Sequence, residues 1–299
     1  MPWLQISVAA DREGTEPVGA CLEAYGAVAV SLSGSSEEVL LEPAPGARPL
    51  WTRVRLQALF DPASDLKALN AALGGLNARV LDVEFLVDED WQSRWRAHAV
   101  RACFAGRLWL LPRDEPFDPP ARPDGGPAAI LRLDPGLAFG SGSHPTTRLC
   151  LSALASMALD GLRVLDYGCG SGILGIAACL LGAECVVAVD HDPQALLATR
   201  DNATYNHIEV SRLRVMTPGE LTSEPGAQGR FDVVVANILA NPLMSLAPVL
   251  TRFTADQGRL LLSGLLTDQE QMIRDAYPEA EFSPPAREGD WICLHGRRP

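Results

Sequence analysis

The residues best placed to do chemistry form the stretch Asp166-Tyr167-Gly168-Cys169-Gly170-Ser171-Gly172, which lies between a strand-like and a helix-like apolar run. Its alternating glycines let the backbone turn sharply and approach a ligand with no side chain in between. In a strand–turn–helix unit, such a turn forms a nucleotide site at the carboxyl edge of a parallel sheet. Asp190 ends the next apolar run about 20 residues further on, where a carboxylate reaches a ribose hydroxyl. Together, the turn and this carboxylate predict a site for an adenosine-containing cofactor.

The glycine spacing narrows the choice of cofactor. A dinucleotide fingerprint has glycines at its first, third and sixth positions, but the sixth position from Gly168 is Ile173. A nicotinamide-dependent dehydrogenase therefore stays a remote alternative. Cys169 is expected to be a small apolar filler, because no histidine or other base accompanies it locally. The seven cysteines include no Cys-x-x-Cys pair, so we expect no metal site.

An asparagine follows a third strand-like run, Phe231–Ala236. Asn237 is expected at the edge where a parallel sheet places its reacting groups. Its amide oxygen can accept a hydrogen bond from an amine and so orient the nitrogen lone pair toward an electrophile. Asn241, directly before Pro242, is predicted to cap the next helix, which leaves Asn237 for the site.

The glycine-containing loop over residues 133–147 offers two more candidates. Helical periodicity resumes at Leu149, so the Thr147 hydroxyl could cap that helix or contact a ligand, both through the same oxygen lone pairs. His144 is eligible as a base because histidine titrates near neutral pH. A structural, hydrogen-bonding role is more typical of a histidine in a loop.

The order of elements predicts two domains and a linker. Residues 1–88 have the order β-α-β-β-α-β, typical of a ferredoxin-like α+β domain, if Val39–Leu41 and Thr52–Phe60 are parts of neighbouring strands. Residues 89–100 carry aromatic side chains at helical spacing and predict a linker helix. Residues 101–299 alternate strands and helices. This alternation predicts an α/β domain with a mostly parallel, seven-stranded sheet that ends in an antiparallel pair.

The loop 133–147, the turn Asp166–Gly172, Asp190 and the segment Asn237–Ala240 together resemble the PrmA family of class I S-adenosylmethionine-dependent methyltransferases. The similarity runs essentially end to end, and the loop is its most specific element. It implies a Rossmann-like α/β fold and methyl transfer to lysine side chains and the N-terminal amine of a basic, large-subunit ribosomal protein. It also implies that the first domain grips this substrate and that the linker helix lets the domains reorient.

The resemblance also assigns roles to individual residues. The implied contacts to S-adenosylmethionine are Thr147, Gly168, Gly170, Asp190 and Asn237. Asn237 is the implied catalytic residue. One departure lies in the loop, where Ser141 and Ser143 stand where the family commonly has threonines. These serines keep the hydroxyls, so the chemistry is expected to survive.

Charge and hydropathy limit the kinds of partner that the chain can bind. A formal charge of −12 disfavours nonspecific binding to nucleic acid and favours a basic partner. No apolar run is long enough to span a membrane, and the first residues show no secretory signal pattern, so we expect a cytoplasmic protein. We also expect a monomer. Three alternatives stay open besides the dehydrogenase: methylation of another protein, methylation of a small molecule, and a non-catalytic nucleotide-binding or ribosome-associated module.

Overall fold

The computed structural model describes residues 3–34, 50–64, 66–76, 78–86, 101–120, 126–133, 142–224 and 230–299. By its internal contacts the chain divides into two compact units, Met1–Ser93 and Arg94–Pro299. Three predicted features lie outside the described residues: the strand around Val39–Leu41, the linker helix over residues 89–100, and residues 134–141 of the glycine-containing loop.

The first unit is an antiparallel sheet packed against two helices. Its elements are β1 (Trp3–Asp11), α1 (Thr15–Ala24), β2 (Ala29–Gly34), β3 (Arg53–Phe60), α2 (Leu66–Gly74) and β4 (Arg79–Leu86). The strand order is β2-β3-β1-β4, and every pairing is antiparallel. Alternate residues of β1, such as Leu4 and Ile6, are buried in one cluster with Leu22 of α1 and Leu73 of α2. The predicted ferredoxin-like domain is therefore confirmed.

The second unit begins with a small sheet of β5 (Ala102–Phe104), β6 (Leu108–Leu111) and β7 (Ala129–Arg132). The sequence predicts the first two strands as a pair around Gly106, and the structure confirms them. The sequence does not reveal β7, which has only four residues and follows a proline-rich stretch. The guanidinium of Arg132 donates to the carbonyl oxygens of Arg113 and Glu115 at 2.9 and 2.8 Å, so this strand holds part of that stretch in place.

The main sheet of the second unit carries the candidate site. Its strands are β8 (Arg163–Tyr167), β9 (Cys185–Val189), β10 (Leu213–Met216), β11 (Phe231–Asn237), β12 (Thr254–Leu266), β13 (Glu281–Phe282), β14 (Ala286–Glu288) and β15 (Trp291–Arg297). Their order is β10-β9-β8-β11-β12-β15-β13. The first five are parallel, and β15 is antiparallel to β12. The predicted antiparallel pair at the end of the sheet is confirmed.

Eight strands occupy the seven predicted positions, because β13 and β14 pair with different ends of β15. The helices of this unit are α3 (Pro145–Ser156), α4 (Ile173–Leu180), α5 (Pro193–Tyr205), α6 (Pro218–Ser223), α7 (Ala240–Phe253) and α8 (Glu270–Ala276). Runs such as Val186–Val189 and Val233–Ala236 are buried throughout. Continuous burial is typical of parallel strands covered by helices on both faces. In the part of the chain that the structure describes, no helix has the length and apolarity that crossing a membrane requires.

Two helices begin earlier than the sequence predicts. Helix α3 begins at Pro145, with His144 as its N-cap, whereas periodicity placed its start at Leu149. Helix α7 begins at Ala240 after the N-cap Leu239, so the prediction that Asn241 caps this helix is wrong. The reason is the same at both helices, because a proline fits the first turn, where its missing N–H needs no partner.

The chain order of the strands fixes where a ligand can bind. The chain goes from β8 outward to β9 and β10, and then returns to β11 on the other side of β8. A crevice opens at such a reversal, outside the carboxyl ends of the strands. The ends of β8 and β11 are Tyr167 and Asn237, so the glycine turn and the candidate asparagine lie at this crevice.

Candidate functional site

The glycine turn follows β8 in a conformation that requires glycine. Gly168, Gly170 and Gly172 have φ angles of 80°, 53° and 79°, in the left-handed region that other residues rarely adopt. The Gly168 N–H donates to the Val189 carbonyl at 2.7 Å, and the Gly172 N–H donates to the Cys169 carbonyl at 2.7 Å. The turn is thus fixed to β9 before α4 begins.

Asp190, directly after β9, is bound to the same turn. One carboxylate oxygen accepts the Gly170 N–H at 3.0 Å, and the other accepts the Asp192 N–H at 3.0 Å. The side chain is only 10% exposed. Each carboxylate oxygen accepts more than one hydrogen bond, so Asp190 keeps acceptor capacity for hydroxyl groups of a ligand. It is thus both a brace for the turn and a candidate ribose contact.

Helix α5 supports the turn from the other side, through residues that the sequence analysis missed. The Thr199 hydroxyl donates to the Gly170 carbonyl at 3.0 Å, and the Asn202 amide donates to the Ser171 carbonyl at 2.8 Å. Both side chains are buried. Their only sequence signal is a polar pair three positions apart on one helix face.

Thr147 and Asn237 form the second part of the site. The Asn237 amide nitrogen donates to the Thr147 hydroxyl at 3.2 Å, and Thr147 is fully buried in the first turn of α3. Thr147 therefore does not cap α3. The Asn237 carbonyl oxygen Oδ1 is buried and has no hydrogen-bond partner in the part of the chain that the structure describes. Asn237 Oδ1 is therefore a buried acceptor that a hydrogen-bond donor of a ligand could satisfy.

Ile238 connects the two parts of the site. A Cβ added at Gly168 or Gly264 would overlap the Ile238 side chain or its backbone, respectively. The Ile238 N–H also donates to the Ser263 carbonyl at 3.2 Å. The segment that carries Asn237 therefore passes close to two glycines, one of them in the glycine turn.

Asp166 lies below the turn and was missed as a site residue, although it opens the motif. Its Oδ2 accepts the Gly175 N–H at 2.8 Å, whereas its buried Oδ1 has no partner among the described residues. Burial raises the pKa of Asp166 to about 7, against the lowering effect of the Gly175 hydrogen bond, and the charge of Asp190 raises it further. Near neutral pH this carboxyl holds its proton in part of the molecules.

His144 has the structural role that is more typical of a loop histidine. Its Nδ1 accepts the Thr146 N–H and contacts the Thr146 hydroxyl at 2.7 Å. Its ring packs edge-on against Trp291, with 4.6 Å between the ring centroids. Burial, and then the charge of Arg148, lower the pKa of His144. These contacts give His144 a structural role as the N-cap of α3.

Cys169 behaves as the apolar filler that the sequence predicts. It is buried, and burial, followed by the charge of Asp166, raises the pKa of its thiol. A thiol that keeps its proton is a poor nucleophile. Among the described residues, no cluster of histidine, cysteine and carboxylate side chains could hold a metal ion.

Comparison with known proteins shows the family of this chain. Residues 2–299 match the family model described as "Ribosomal protein L11 methyltransferase (PrmA)". The chain belongs to this family. The ribosomal protein L11 methyltransferase of Pseudomonas aeruginosa (strain LESB58) is 45% identical over 302 residues, which cover 100% of this chain and 99% of the relative. That of Nitrosococcus oceani is 43% identical over 303 residues, which cover 100% of both chains.

A solved structure agrees with this membership. The crystal structure of ribosomal protein L11 methylase from Lactobacillus delbrueckii subsp. bulgaricus is 34% identical, with a TM-score of 0.57. The match covers 66% of this chain and 98% of that chain. The PrmA resemblance and the class I methyltransferase fold are therefore confirmed.

In this PrmA-family chain, the predicted site residues form two hydrogen-bonded groups. Gly168, Gly170 and Asp190 form the first group around the glycine turn. Thr147 and Asn237 form the second group. The structure brings all five to the crevice at the carboxyl edge of the sheet. Which of them contact a cofactor stays a prediction.

Proposed function

We propose that this chain transfers methyl groups from S-adenosylmethionine to lysine side chains and the N-terminal amine of ribosomal protein L11. The carbonyl oxygen of Asn237, buried beside the glycine turn without a partner among the described residues, carries the proposal. Such an acceptor costs free energy unless a ligand supplies a donor, and a substrate amine supplies an N–H. Family membership and the names of the relatives support ribosomal protein L11 as the source of that amine.

The residues of the glycine turn fit the cofactor. At Gly168 the backbone is bare, and a Cβ there would collide with the neighbouring Ile238. Asp190 offers carboxylate oxygens that suit the two hydroxyls of a ribose. We therefore assign the turn and Asp190 to the adenosine part of S-adenosylmethionine, and Thr147 and Asn237 to the part near the methyl group.

When bound, S-adenosylmethionine supplies a methyl group on a positively charged sulfur. This sulfur is a good leaving group and needs no acid to protonate it. The chain itself therefore has to position a neutral amine. Asn237 accepts one N–H of this amine, and its bond to Thr147 keeps Oδ1 rather than the amide nitrogen toward the substrate.

The substrate amine also has to lose a proton. A lysine in water titrates with a pKa of about 10.4. The Asn237 oxygen has no solvent contact, and dry surroundings penalise a charged ammonium, which lowers the pKa of the bound amine. The proton then leaves to solvent before the transfer. Leu239, which is 52% exposed two residues after Asn237, offers an apolar contact for the methylene groups of a lysine.

Charge supports a recognition role for the first unit. Residues 1–93 contain fourteen Asp and Glu against six Lys and Arg, a formal charge of −8 out of −12 for the whole chain. A strongly acidic surface attracts a basic protein over a distance of about a Debye length, roughly 8 Å at physiological salt. We assign substrate recognition to this unit and catalysis to residues 101–299.

The proposal is tested by mass spectrometry of purified ribosomal protein L11 after incubation with the chain and S-adenosylmethionine. We expect mass additions of whole methyl groups on lysines and on the N-terminus. Asn237→Ala should abolish them while leaving cofactor binding measurable by calorimetry. Gln271→Ala, which removes an exposed amide on α8, serves as the control and should leave transfer unchanged. Unmodified L11, together with labelled methyl groups on another molecule of a cell extract, would contradict the proposed substrate.

The recognition role has its own test. We expect residues 94–299 alone, checked for folding by circular dichroism, to bind S-adenosylmethionine and to leave ribosomal protein L11 unmethylated. Full-rate methylation of L11 by this shorter chain would contradict a role of the first unit in recognition, whereas the assignment of the catalytic site would stand.

A further inference from the structure

A row of hydrogen bonds leads from the segment after β6, through α5, to the glycine turn. The guanidinium of Arg113 donates to Oδ1 of Asn202 at 2.7 Å. It also lies over the ring of Tyr205, at 4.5 Å from the ring centroid. On its other side, the Asn202 amide nitrogen donates to the Ser171 carbonyl at 2.8 Å. Two hydrogen bonds therefore connect Arg113 to the glycine turn.

The chemistry of the two neighbours fixes which way the Asn202 amide faces. A guanidinium only donates hydrogen bonds, and a backbone carbonyl only accepts them. Oδ1 of Asn202 therefore has to face Arg113, and the amide nitrogen has to face Ser171. Asn202 is buried, and a buried polar atom that loses its partner costs free energy. Arg113 thus stabilises the orientation in which Asn202 holds the turn.

The backbone around Arg113 is itself fixed to α5. The Arg132 guanidinium donates to the carbonyl oxygens of Pro112 and Arg113 at 3.2 and 2.9 Å. Asn206, the C-cap of α5, accepts the Arg132 N–H at 2.7 Å and donates to the Arg132 carbonyl at 2.8 Å. The segment that carries Arg113 is thus held to the same helix that carries Asn202. The guanidinium therefore reaches Asn202 from a preorganised position.

We propose that Arg113 is a positioning residue for the cofactor, which acts through Asn202 on the glycine turn. This inference rests on the proposed assignment of the turn to S-adenosylmethionine. Ser171 directly follows Gly170, whose N–H binds the carboxylate of Asp190. A shift of the Ser171 carbonyl therefore moves the backbone that carries the groups assigned to the adenosine. A turn that is held in place before binding loses less entropy when the cofactor binds.

The path of these contacts predicts which step Arg113 affects. It ends at the glycine turn, which is assigned to the adenosine part of the cofactor. The bond between Asn237 and Thr147 connects β11 to α3, and α5 takes no part in it. We therefore expect the loss of Arg113 to weaken cofactor binding and to change turnover at saturating cofactor much less.

The test compares cofactor affinity by calorimetry in variants of the full chain. Arg113→Met keeps an unbranched side chain over Tyr205 and removes the donor, so we expect the Kd for S-adenosylmethionine to rise about threefold to tenfold. Arg113→Lys keeps one donor and loses the planar stack, and its affinity should lie in between. Arg101→Met is the matched control, because Arg101 also lies over an aromatic ring, Phe117, at 4.7 Å, and pairs with Glu115. It should bind like the wild-type chain.

Two further measurements separate positioning from a general loss of structure. In steady-state kinetics with ribosomal protein L11, Arg113→Met should raise the KM for S-adenosylmethionine and change kcat by less than about twofold. In the ligand-free chain, amide hydrogen exchange of a peptide that covers residues 168–175 should be faster in Arg113→Met than in Arg101→Met, because the turn is held less firmly.

An Asn202→Ala background shows whether Arg113 acts through Asn202. There the connection is already broken, so Arg113→Met should change cofactor affinity by less than about twofold. Wild-type affinity in Arg113→Met would overturn the proposal. So would an equal loss in both backgrounds, or an equal loss in Arg101→Met. In these three cases the assignment of the turn to the cofactor stands. A wild-type chain that binds no S-adenosylmethionine would instead refute that assignment, and this inference with it.

Discussion

Replacing Gly168 by alanine tests whether the glycine turn and the Asn237 segment work as one unit. Gly168 has a φ of 80°, and its added Cβ would overlap a terminal methyl of Ile238. Gly161→Ala is a matched control, because Gly161 has a φ of 74° and nothing within 4 Å of the added Cβ. Both variants therefore introduce the same kind of backbone strain, and only Gly168→Ala adds a collision at the site.

The magnitudes follow from these two contributions. A left-handed conformation costs a non-glycine residue about 1–2 kcal/mol, so this is the expected loss of unfolding free energy for Gly161→Ala. Overpacking adds about 1–3 kcal/mol, which gives a total loss of about 2–5 kcal/mol for Gly168→Ala. Because Ile238 directly follows Asn237, we also expect cofactor affinity to fall by more than about tenfold, or 1.4 kcal/mol.

Urea unfolding measures the stabilities, and calorimetry with S-adenosylmethionine measures the affinities. In an Ile238→Ala background the methyl that collides is absent, so Gly168→Ala should cost about 1–3 kcal/mol less there than in the wild-type background. If Gly168→Ala and Gly161→Ala bind the cofactor equally well, the turn is not the cofactor site. If Gly168→Ala costs the same in both backgrounds, the contact between Gly168 and Ile238 does not couple the two parts of the site.

Three further substitutions probe individual side chains. Asp190→Asn should weaken cofactor binding about 10- to 100-fold by calorimetry, with a smaller change in turnover at saturating cofactor; equal affinity would exclude Asp190 as a contact. Burial raises the pKa of Asp166 to about 7, from 3.8, so the unfolded chain releases this proton first and stability falls as pH rises toward 7. Between pH 5 and pH 8, the free energy of unfolding should fall by about 2–3 kcal/mol less in Asp166→Asn than in the wild-type chain, as measured by urea unfolding. Stability profiles against pH that run parallel for the two proteins would refute this. His144→Ala should cost about 1 kcal/mol of stability as a lost cap, with the shape of the pH–rate profile unchanged; a lost acidic limb would instead identify a base.

Much of the fold could be predicted from sequence because its signals are local. Apolar runs such as Val233–Ala236 identify buried parallel strands, and the turn after β8 needs glycines that no other residue replaces. The errors lie where local signals compete. Apolar periodicity predicts that α3 starts at Leu149, and Pro242 predicts a cap at Asn241, although Pro145 and Pro242 both fit a first helical turn. The strand Ala129–Arg132 is too short for periodicity, and its pairing with β6 is visible only in three dimensions.

The residues of the candidate site likewise divide into those that the sequence reveals and those that it does not. Glycines and strand-end residues such as Asp190 and Asn237 stand out in the sequence because their positions are set by the turn and by the sheet edge. The supporting contacts do not stand out. Thr199 lies 29 residues after Gly170, whose carbonyl it binds, and Thr147 lies 90 residues before Asn237. Contacts over such separations depend on how helices pack against the sheet, and no spacing rule encodes them.

The divided outer strand of the main sheet has a consequence for behaviour at high concentration. An uninterrupted outer strand presents a row of unsatisfied N–H and C=O groups that can recruit another copy. Here Pro284 and Pro285 separate β13 from β14, and proline lacks the N–H that such recruitment needs. We therefore expect this border of the molecule to resist amyloid-like growth, so that the chain tolerates crowding during its synthesis.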